Sequence, residues 1–172
     1  TLKNALAETD YYVTTDVGQH QMWSAQFLHF DKPNRWMTSG GLGTMGYGVP
    51  AAMGVQVAHP DSAVVCVTSE GSLMMNIQEL ATLKSLDRIV KIIIMNNNGY
   101  ASIRNTQNNY FKGRSIATDS SSQLNIPPIK DLAKAFNIKS IQINRIEELE
   151  KKLKLIVDFK ESIICEVMLK KD

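Results

Sequence analysis

The sequence contains only two cysteines, and neither stands at the spacing of a metal-binding motif. Cys66 and Cys165 lie inside the apolar stretches AVVCV and SIICEV, a position typical of buried core residues. We therefore expect two free structural cysteines and a reducing compartment, the cytoplasm. No apolar run approaches the roughly 18 residues of a membrane-spanning helix, and no secretory leader opens the sequence. A soluble protein without a membrane partner is predicted.

Charge of one sign does not dominate either, because 19 lysines and arginines face 17 aspartates and glutamates, for a net charge of +2. That balance gives no indication of a nucleic-acid partner. At 172 residues, 44% of them hydrophobic, the chain has the composition of one globular domain. We predict a single domain over residues 1–172.

Short β-branched runs alternate with helical patterns along the chain. The predicted buried strands are YYVTTD, AVVCVTS, VKIIIMNN, KSIQI and SIICEVML. Apolar residues recur every three or four positions in the segments between them, which predicts a helix in each crossover. These helices are QHQMWSAQFLHF, VPAAMGVQVAH, SLMMNIQELATLKSL, PPIKDLAKAF and RIEELEKKLKLIVDF. The predicted fold is α/β, a doubly wound, mostly parallel sheet with helices on both faces, and the one long loop is expected at residues 105–125.

Ligands of such sheets bind beyond the carboxyl ends of the strands. Three segments follow predicted strands there, at residues 16–20, 69–72 and 96–100. The glycine-rich stretch GGLGTMGYG at residues 40–48 follows the short run RWMTS and should join them. We therefore expect the functional site at this edge of the sheet.

One interpretation of the glycines is a dinucleotide site. Gly41, Gly43 and Gly46 satisfy the pattern G-x-G-x-x-G, and Glu70 ends the next strand, where a ribose-binding acid would lie. The preceding segment PNRWMTSG is polar and short, however, whereas the fingerprint follows a buried apolar strand. This interpretation also leaves the Gly-Ser turn after Glu70 and the asparagine run unexplained, but it stays open.

The other interpretation begins with Glu70, which closes an apolar strand before a Gly-Ser turn. Ser72 is the predicted N-cap of the following helix, whose first N–H groups would face an anion at the sheet edge. A carboxylate, an asparagine oxygen and a backbone carbonyl are the hard ligands that Mg²⁺ or Ca²⁺ prefer, and these ions commonly bridge phosphates. Together these features predict a site for a metal ion and a diphosphate.

The spacing from Glu70 to Asn96 and Asn97 resembles the thiamine-diphosphate motif, in which Gly-Asp-Gly is followed roughly two dozen or more residues later by Asn-Asn. Three longer stretches, VTTDVGQHQMW, TSGGLGTMGYGVPAAMG and GSLMMNIQELAT, are similar to one known group. They resemble the C-terminal, diphosphate-binding domain of the acetolactate (acetohydroxyacid) synthases. The resemblance covers nearly the whole chain.

This resemblance implies thiamine diphosphate and Mg²⁺ as cofactors and assigns residues to each. The residues implied at the diphosphate are Val17, Gly18, Gln19, His20, Gly71 and Ser72. Gly43 and Met45 are implied at the aminopyrimidine, with the Met45 side chain as the wedge that keeps the cofactor bent. The implied Mg²⁺ ligands are Glu70, Asn97 and the Gly99 carbonyl.

The chain also departs from the family. Glu70 stands where the family has aspartate, and the extra methylene moves the carboxylate outward by about 1.5 Å, which Mg²⁺ with its strict octahedral geometry tolerates poorly. Ser102, Ile103 and Thr106 stand where the synthases carry a methionine-valine pair and a tryptophan. The predicted substrate pocket is therefore smaller and more polar, and the substrate cannot simply be copied from the synthases.

The family's activating glutamate lies on a separate pyrimidine-binding domain, and none of that domain is in these residues. We therefore expect part of a longer enzyme, a 2-oxoacid decarboxylase or carboligase that forms homo-oligomers. The expected partners are a small 2-oxoacid and the pyrimidine-binding domain of the same or a neighbouring subunit. No catalytic residue is expected on this chain, which should fold but not catalyse alone. The alternative is a non-catalytic homologue whose metal site has decayed and which serves assembly or regulation.

Overall fold

The computed structural model describes residues 2–6 and 9–170, and its strands form one six-stranded sheet. The strands are β1 Tyr11–Thr15, β2 Trp36–Thr38, β3 Ala63–Thr68, β4 Val90–Asn96, β5 Lys139–Ile143 and β6 Ile163–Met168. Their order is β2-β1-β3-β4-β6-β5, and every neighbouring pair is parallel. The predicted doubly wound parallel sheet is confirmed, with β2 as an additional short edge strand.

Helices cover both faces of this sheet. The α-helices are α1 Leu2–Leu6, α2 Gln19–Phe27, α3 Gly48–Ala58, α4 Glu70–Leu73, α5 Glu79–Ser85, α6 Ala101–Tyr110, α7 Ile129–Ala135 and α8 Leu149–Asp158. Side chains of α3, α5 and α7 build one hydrophobic core against the sheet, and those of α1 and α8 build the other. Among the helices of the described residues, none has the length and apolarity needed to cross a membrane.

The two cores explain the nearly continuous apolar runs of the strands. Successive side chains of a strand point to opposite faces, so Val64 and Cys66 pack in one core and Val65 and Val67 in the other. Both faces are covered by helices, and most positions of the central strands are therefore apolar. Cys66 and Cys165 are free and buried, as expected of core residues.

Two helical predictions were wrong in part. The predicted continuous helix SLMMNIQELATLKSL is broken into α4, a 3₁₀ turn at Met74–Asn76 and α5. The break lets the Asn76 side-chain amide donate to the Gly46 carbonyl at 2.9 Å, which ties this segment to the glycine-rich loop. The helix QHQMWSAQFLHF is shorter than predicted, because the chain is already extended at Leu28.

The long loop predicted at residues 105–125 was also wrong in part, because α6 continues to Tyr110. The helix is polar, but its side chains hydrogen-bond the returning loop. Gln107 accepts from the Ile116 N–H and donates to the Ile116 carbonyl, both at 3.1 Å. The Tyr100 N–H donates to the Thr118 carbonyl at 2.8 Å where the helix begins. Tertiary hydrogen bonds thus stabilise a helix without an apolar periodicity.

The Asp16 carboxylate joins three segments at the carboxyl ends of β1 and β3. Its Oδ1 accepts from the N–H groups of Gly46 and Tyr47 at 2.6 and 3.1 Å. Its Oδ2 accepts from the Gly48 N–H at 3.2 Å and from the Thr68 hydroxyl at 3.0 Å. Burial raises the pKa of Asp16, whereas these four donors favour the ionised form. The carboxylate therefore fixes the glycine-rich loop and the start of α3.

We expect Asp16→Asn to lower the free energy of unfolding by about 2–4 kcal/mol, because an amide NH₂ would face backbone N–H donors in a buried place. Urea unfolding followed by circular dichroism measures this change. Asp61→Asn, at an exposed position, is the matched control and should change stability by less than about 0.5 kcal/mol. Equal stability of the two variants would contradict the anchoring role of Asp16.

Candidate functional site

The ligand crevice expected for this topology lies between β1 and β3, where the strand order reverses. A cavity of about 150 Å³ opens there and brings together the segments predicted from the strand ends. The predicted site residues that line it are Val17, Gly18, Gln19, His20, Met45, Ser72, Asn97, Gly99, Ser102 and Ile103. Most of the residues implied by the sequence therefore share one cavity.

Four predicted residues do not line this cavity: Gly43, Glu70, Gly71 and Thr106. Gly43 is exposed in the glycine-rich loop, and Thr106 lies one turn further along α6, with its hydroxyl donating to the Ser102 carbonyl at 3.1 Å. Gly71 is buried beneath the Tyr100 ring, and a Cβ atom at this position would overlap that ring. The close approach of Tyr100 thus requires a glycine at position 71, whatever ligand its N–H group binds.

The helix that follows β3 has a different N-cap residue from the predicted one. Ser69 is the N-cap of α4, since its hydroxyl accepts from the Ser72 N–H at 3.2 Å. The predicted N-cap Ser72 instead donates from its hydroxyl to the Val17 carbonyl at 3.2 Å. The reason is that α4 begins one residue after the strand, which leaves Ser72 in its first turn. Ser72 thereby links this turn to the loop that follows β1.

Glu70 is only 2% exposed and lines a second cavity together with Asn96, Asn98 and Gly99 of the turn that follows β4. Its Oε1 accepts from the Gly99 N–H at 2.6 Å. Its Oε2 is buried and has no hydrogen-bond partner among the described residues. Burial raises the pKa of this carboxyl, and the backbone N–H groups of Gly99, Glu70 and Asn97 oppose the shift. A bound cation would supply the missing partner of Oε2.

Asn97, two residues before Gly99, presents a second unpaired oxygen. Its side-chain amide donates to the Gln19 Oε1 at 3.1 Å, which sets the orientation of the group. The Asn97 Oδ1 is buried and, within the described part of the chain, has no hydrogen-bond partner. Residues 2–6 and 9–170 contain no cluster of three or more histidine, cysteine, aspartate or glutamate side chains that could hold a metal ion. One carboxylate with amide and carbonyl oxygens nevertheless fits Mg²⁺, which usually completes its shell with water and phosphate oxygens.

His20, in the first turn of α2, is 3% exposed and lines the cavity. Burial lowers its pKa to about 4, opposed by a hydrogen bond to the Asp16 backbone. The ring is therefore neutral at pH 7, and its Nε2 has no hydrogen-bond partner among the described residues. His20 and Asn97 thus both line this cavity and both carry an unpaired polar atom.

Several lining residues were missed by the sequence analysis. They are Trp23, Met95, Ala101 and Leu169, whereas Ser69 and Tyr100 lie in the predicted segments 69–72 and 96–100. Met95 and Leu169 lie next to strand ends, and that position is a signal that could have identified them. Trp23 lies one helical turn after His20, so it follows from the same helix face. For Tyr100 only the segment was predicted, because its ring is placed by the close approach to Gly71.

The fold and the cavity define an α/β domain whose ligand site lies at the switch point of a doubly wound sheet. Residues 16–167 match the family described as thiamine pyrophosphate enzyme, C-terminal TPP binding domain. The chain therefore belongs to this family. The match favours the thiamine-diphosphate interpretation of the glycine-rich loop over the dinucleotide one.

Relatives within the family are acetolactate synthases. The chain is 43% identical over 166 residues to the acetolactate synthase large subunit of Pyropia yezoensis, covering 95% of this chain and 28% of the relative. It is 46% identical over 148 residues to the acetolactate synthase isozyme 3 large subunit of Escherichia coli K12, covering 86% of this chain and 25% of the relative. The chain thus spans about a quarter of the length of these relatives.

Among solved structures, the fold is similar to a thiamine diphosphate-dependent 4-hydroxybenzoylformate decarboxylase of Rhodococcus jostii RHA1. The TM-score is 0.85 at 22% sequence identity, and the match covers 99% of this chain and 32% of the other. At this level of identity the similarity establishes the fold alone.

The state of His20 predicts how stability depends on pH. Its pKa is lowered from 6.5 to about 4 on folding, so the neutral ring contributes stability above pH 6.5 that is lost as the pH falls towards 4. We expect the wild type to lose roughly 3 kcal/mol more than His20→Gln over this range. Urea unfolding at a series of pH values measures the difference.

His29→Gln is the control for this experiment, since His29 is exposed. Its pH profile should follow that of the wild type. Parallel profiles of the wild type and His20→Gln between pH 6.5 and 4 would contradict a neutral, buried His20.

Proposed function

We propose that the full-length protein carrying this chain is an enzyme dependent on thiamine diphosphate and Mg²⁺ that acts on a small 2-oxoacid. It decarboxylates this substrate and can join the product to a second carbonyl compound. The observation that carries the proposal is the pair of unpaired buried oxygens, Glu70 Oε2 and Asn97 Oδ1, at the strand ends of a family member. Leaving each of these oxygens unpaired costs about 1–3 kcal/mol, which a bound cation would offset.

Mg²⁺ would be held by Glu70, Asn97 and the Gly99 carbonyl. Gln19 supports this assignment, because its hydrogen bond with Asn97 leaves the amide oxygen, the better metal ligand, unpaired. The single carboxylate leaves room for phosphate oxygens in the coordination shell. Glu70 is tied to Gly99 through Oε1, so it would bind the metal through Oε2 alone.

The diphosphate would bind where α2 begins. Gly18 precedes this helix with a φ of 143°, and no side chain of the described residues caps the helix there. The first N–H groups of α2 therefore remain available for phosphate oxygens. The residues proposed at the diphosphate are Val17, Gly18, Gln19, His20, Gly71 and Ser72.

Gly43 and Met45 are proposed to meet the aminopyrimidine. Met45 is half-buried and lines the cavity, as a wedge beneath a bent cofactor would. Asp16 fixes the backbone beside it through the N–H groups of Gly46 and Tyr47. The backbone next to Met45 is therefore held in place by hydrogen bonds.

Thiamine diphosphate, when bound, supplies a nucleophilic carbon and an electron-accepting ring for cleaving the bond to the carboxylate carbon of a 2-oxoacid. This chain positions the reactants and excludes water. Ser102 and Ile103 line the cavity and would contact the substrate, with Thr106 one turn beyond them. The apolar side chains of Trp23 and Met95 complete the wall and suit a small acyl group.

The activating glutamate would come from a pyrimidine-binding domain of the same or a neighbouring subunit in a homo-oligomer. The proposed location of the protein is the cytoplasm. Exposed apolar side chains near the site support such a partner, with Leu42 89% and Ile103 44% exposed. The relatives are more than three times as long as this chain, which supports the presence of further domains. This chain alone is therefore proposed to be inactive.

Calorimetry on the full-length protein tests the proposal. We expect thiamine diphosphate to bind only with Mg²⁺, and Glu70→Gln to weaken this binding roughly 10- to 100-fold, because it removes the only charged metal ligand. Glu150→Gln, on the exposed surface of α8, is the control and should bind like the wild type. Thiamine-dependent CO₂ release from pyruvate or a related oxoacid measures the activity.

Two results would point elsewhere. If the wild type does not bind the cofactor and Glu70→Asp recovers binding, the metal site has decayed and the domain serves assembly or regulation. If NAD(H) binds in place of thiamine diphosphate, the dinucleotide interpretation is correct.

A further inference from the structure

A chain of hydrogen bonds, centred on the buried Glu166, joins β5, β6 and β4 to the turn that carries Asn97. The Gln142 amide of β5 donates to the Glu166 Oε2 of β6 at 2.7 Å. The Asn96 amide, at the end of β4, donates to the Glu166 Oε1 at 2.7 Å. The Asn96 Oδ1 then accepts from the Asn98 N–H at 2.9 Å. The chain of contacts thus begins at the sheet edge and ends on the backbone of the metal turn, residues 96–100.

We propose that Glu166 is a positioning residue for the metal site, which acts through Asn96 on the metal turn. This inference rests on the proposed function, because that function supplies the metal. The hydrogen bonds themselves are present without it. Glu166 is 7% exposed, and both of its carboxylate oxygens are engaged by amide donors. It fixes the Asn96 side chain in the one orientation that offers its oxygen to Asn98.

The metal turn depends on such support because its backbone conformation is unfavourable. Asn98 has a φ of 60° and Gly99 a φ of 136°, both in the region that most side chains avoid. The Gly99 Cα also packs closely on the Thr118 carbonyl, so no Cβ fits there. An asparagine side chain that accepts the N–H two residues on is a common way to hold a turn of this kind.

The turn decides where the proposed metal ligands lie. Asn97 is held between Asn96 and Asn98, and the Gly99 N–H reaches the Glu70 Oε1 only if the turn keeps its shape. Without the contact to Glu166, the Asn96 side chain could rotate away from the Asn98 N–H, and the turn would lose this hydrogen bond. Residues that orient metal ligands typically change metal affinity by roughly 10- to 100-fold when they are replaced.

The charge of Glu166 offers a competing explanation. Glu70 and Glu166 line one cavity of about 220 Å³, so a second negative charge would also attract a cation there. The two explanations differ for Glu166→Gln. Glutamine can accept from Asn96 and donate to the Gln142 oxygen once that amide rotates, so it keeps the hydrogen bonds without the charge.

The experiment compares Glu166→Leu and Glu166→Gln in the full-length protein, titrated with Mg²⁺ in the presence of thiamine diphosphate. We expect leucine to weaken Mg²⁺ binding roughly 10- to 100-fold and glutamine less than about fivefold. Glu161→Gln is the control, because it removes an exposed carboxylate from the residues just before β6 and should have no effect. Equal losses for leucine and glutamine, or no loss for either, would overturn the proposal.

Hydrogen exchange in the metal-free protein gives a readout that does not depend on the cofactor. The Asn98 and Gly99 amides should exchange roughly tenfold faster or more in Glu166→Leu than in the wild type, while β3 amides stay protected. Unchanged exchange at these two amides would overturn the positioning role even if Mg²⁺ affinity falls. A wild type that binds no Mg²⁺ would refute the proposed function, and the exchange result would still decide this inference.

Asn96→Ala provides a second route should Glu166→Leu fold poorly, as circular dichroism would reveal. If both residues act through one network, the double variant should weaken binding no more than the more damaging single one. Additive losses would mean that Glu166 does not act through Asn96.

Discussion

The buried Asp16 carboxylate is the contact on which the rest of the site depends. An ionised carboxylate out of water is costly unless donors surround it, and Asp16 has four, from Gly46, Tyr47, Gly48 and Thr68. Three of them are backbone N–H groups where α3 begins, the positive end of the helix dipole. The carboxylate therefore closes the glycine-rich loop over the end of β1 and places Met45 at the cavity.

Glu70 is the instructive contrast to Asp16. Both acids follow a central parallel strand and both are buried, with 2% and 1% exposure. Asp16 uses both oxygens within the fold, and nothing remains for a ligand. Glu70 uses one oxygen for the Gly99 N–H and leaves the other unpaired among the described residues. The pairing of the oxygens, and not burial or charge, distinguishes the acid that holds the fold from the acid available to a cation.

Much of this arrangement could be predicted from the sequence. Apolar runs marked five strands, and the rule that strand ends meet at one edge brought residues 16–20, 69–72 and 96–100 together. The short strand β2 was not predicted, because an edge strand of three residues needs no apolar run. Helix α6 was not predicted for a related reason. Its polar side chains form hydrogen bonds with the returning loop, and the periodicity of apolar residues gives no sign of such tertiary contacts.

Capping and hydrogen-bond partners were harder to predict than strands. Ser69 and Ser72 are both good N-cap residues, and only the exact start of α4 decides between them. Glu166 did leave a signal, a lone acid within the apolar run IICEVM, since buried acids need partners. Its partners Asn96 and Gln142 lie on two other strands, and the strand pairing that brings them close to Glu166 is not encoded locally.

The geometry of the site shows how a glutamate fits at position 70, where the resemblance to the synthases implies an aspartate. A longer side chain in a fixed turn must either displace the turn or find a new partner for its carboxylate. In this chain the Glu70 carboxylate reaches the Gly99 N–H across the gap between the ends of β3 and β4. The same N–H belongs to the turn that Asn96 holds from the other side. The Glu70 carboxylate thus joins two strand ends, and its Oε2 and the Asn97 Oδ1 have no hydrogen-bond partner among the described residues. A site that had become purely structural would have no reason to keep these oxygens buried without partners, because their desolvation opposes folding.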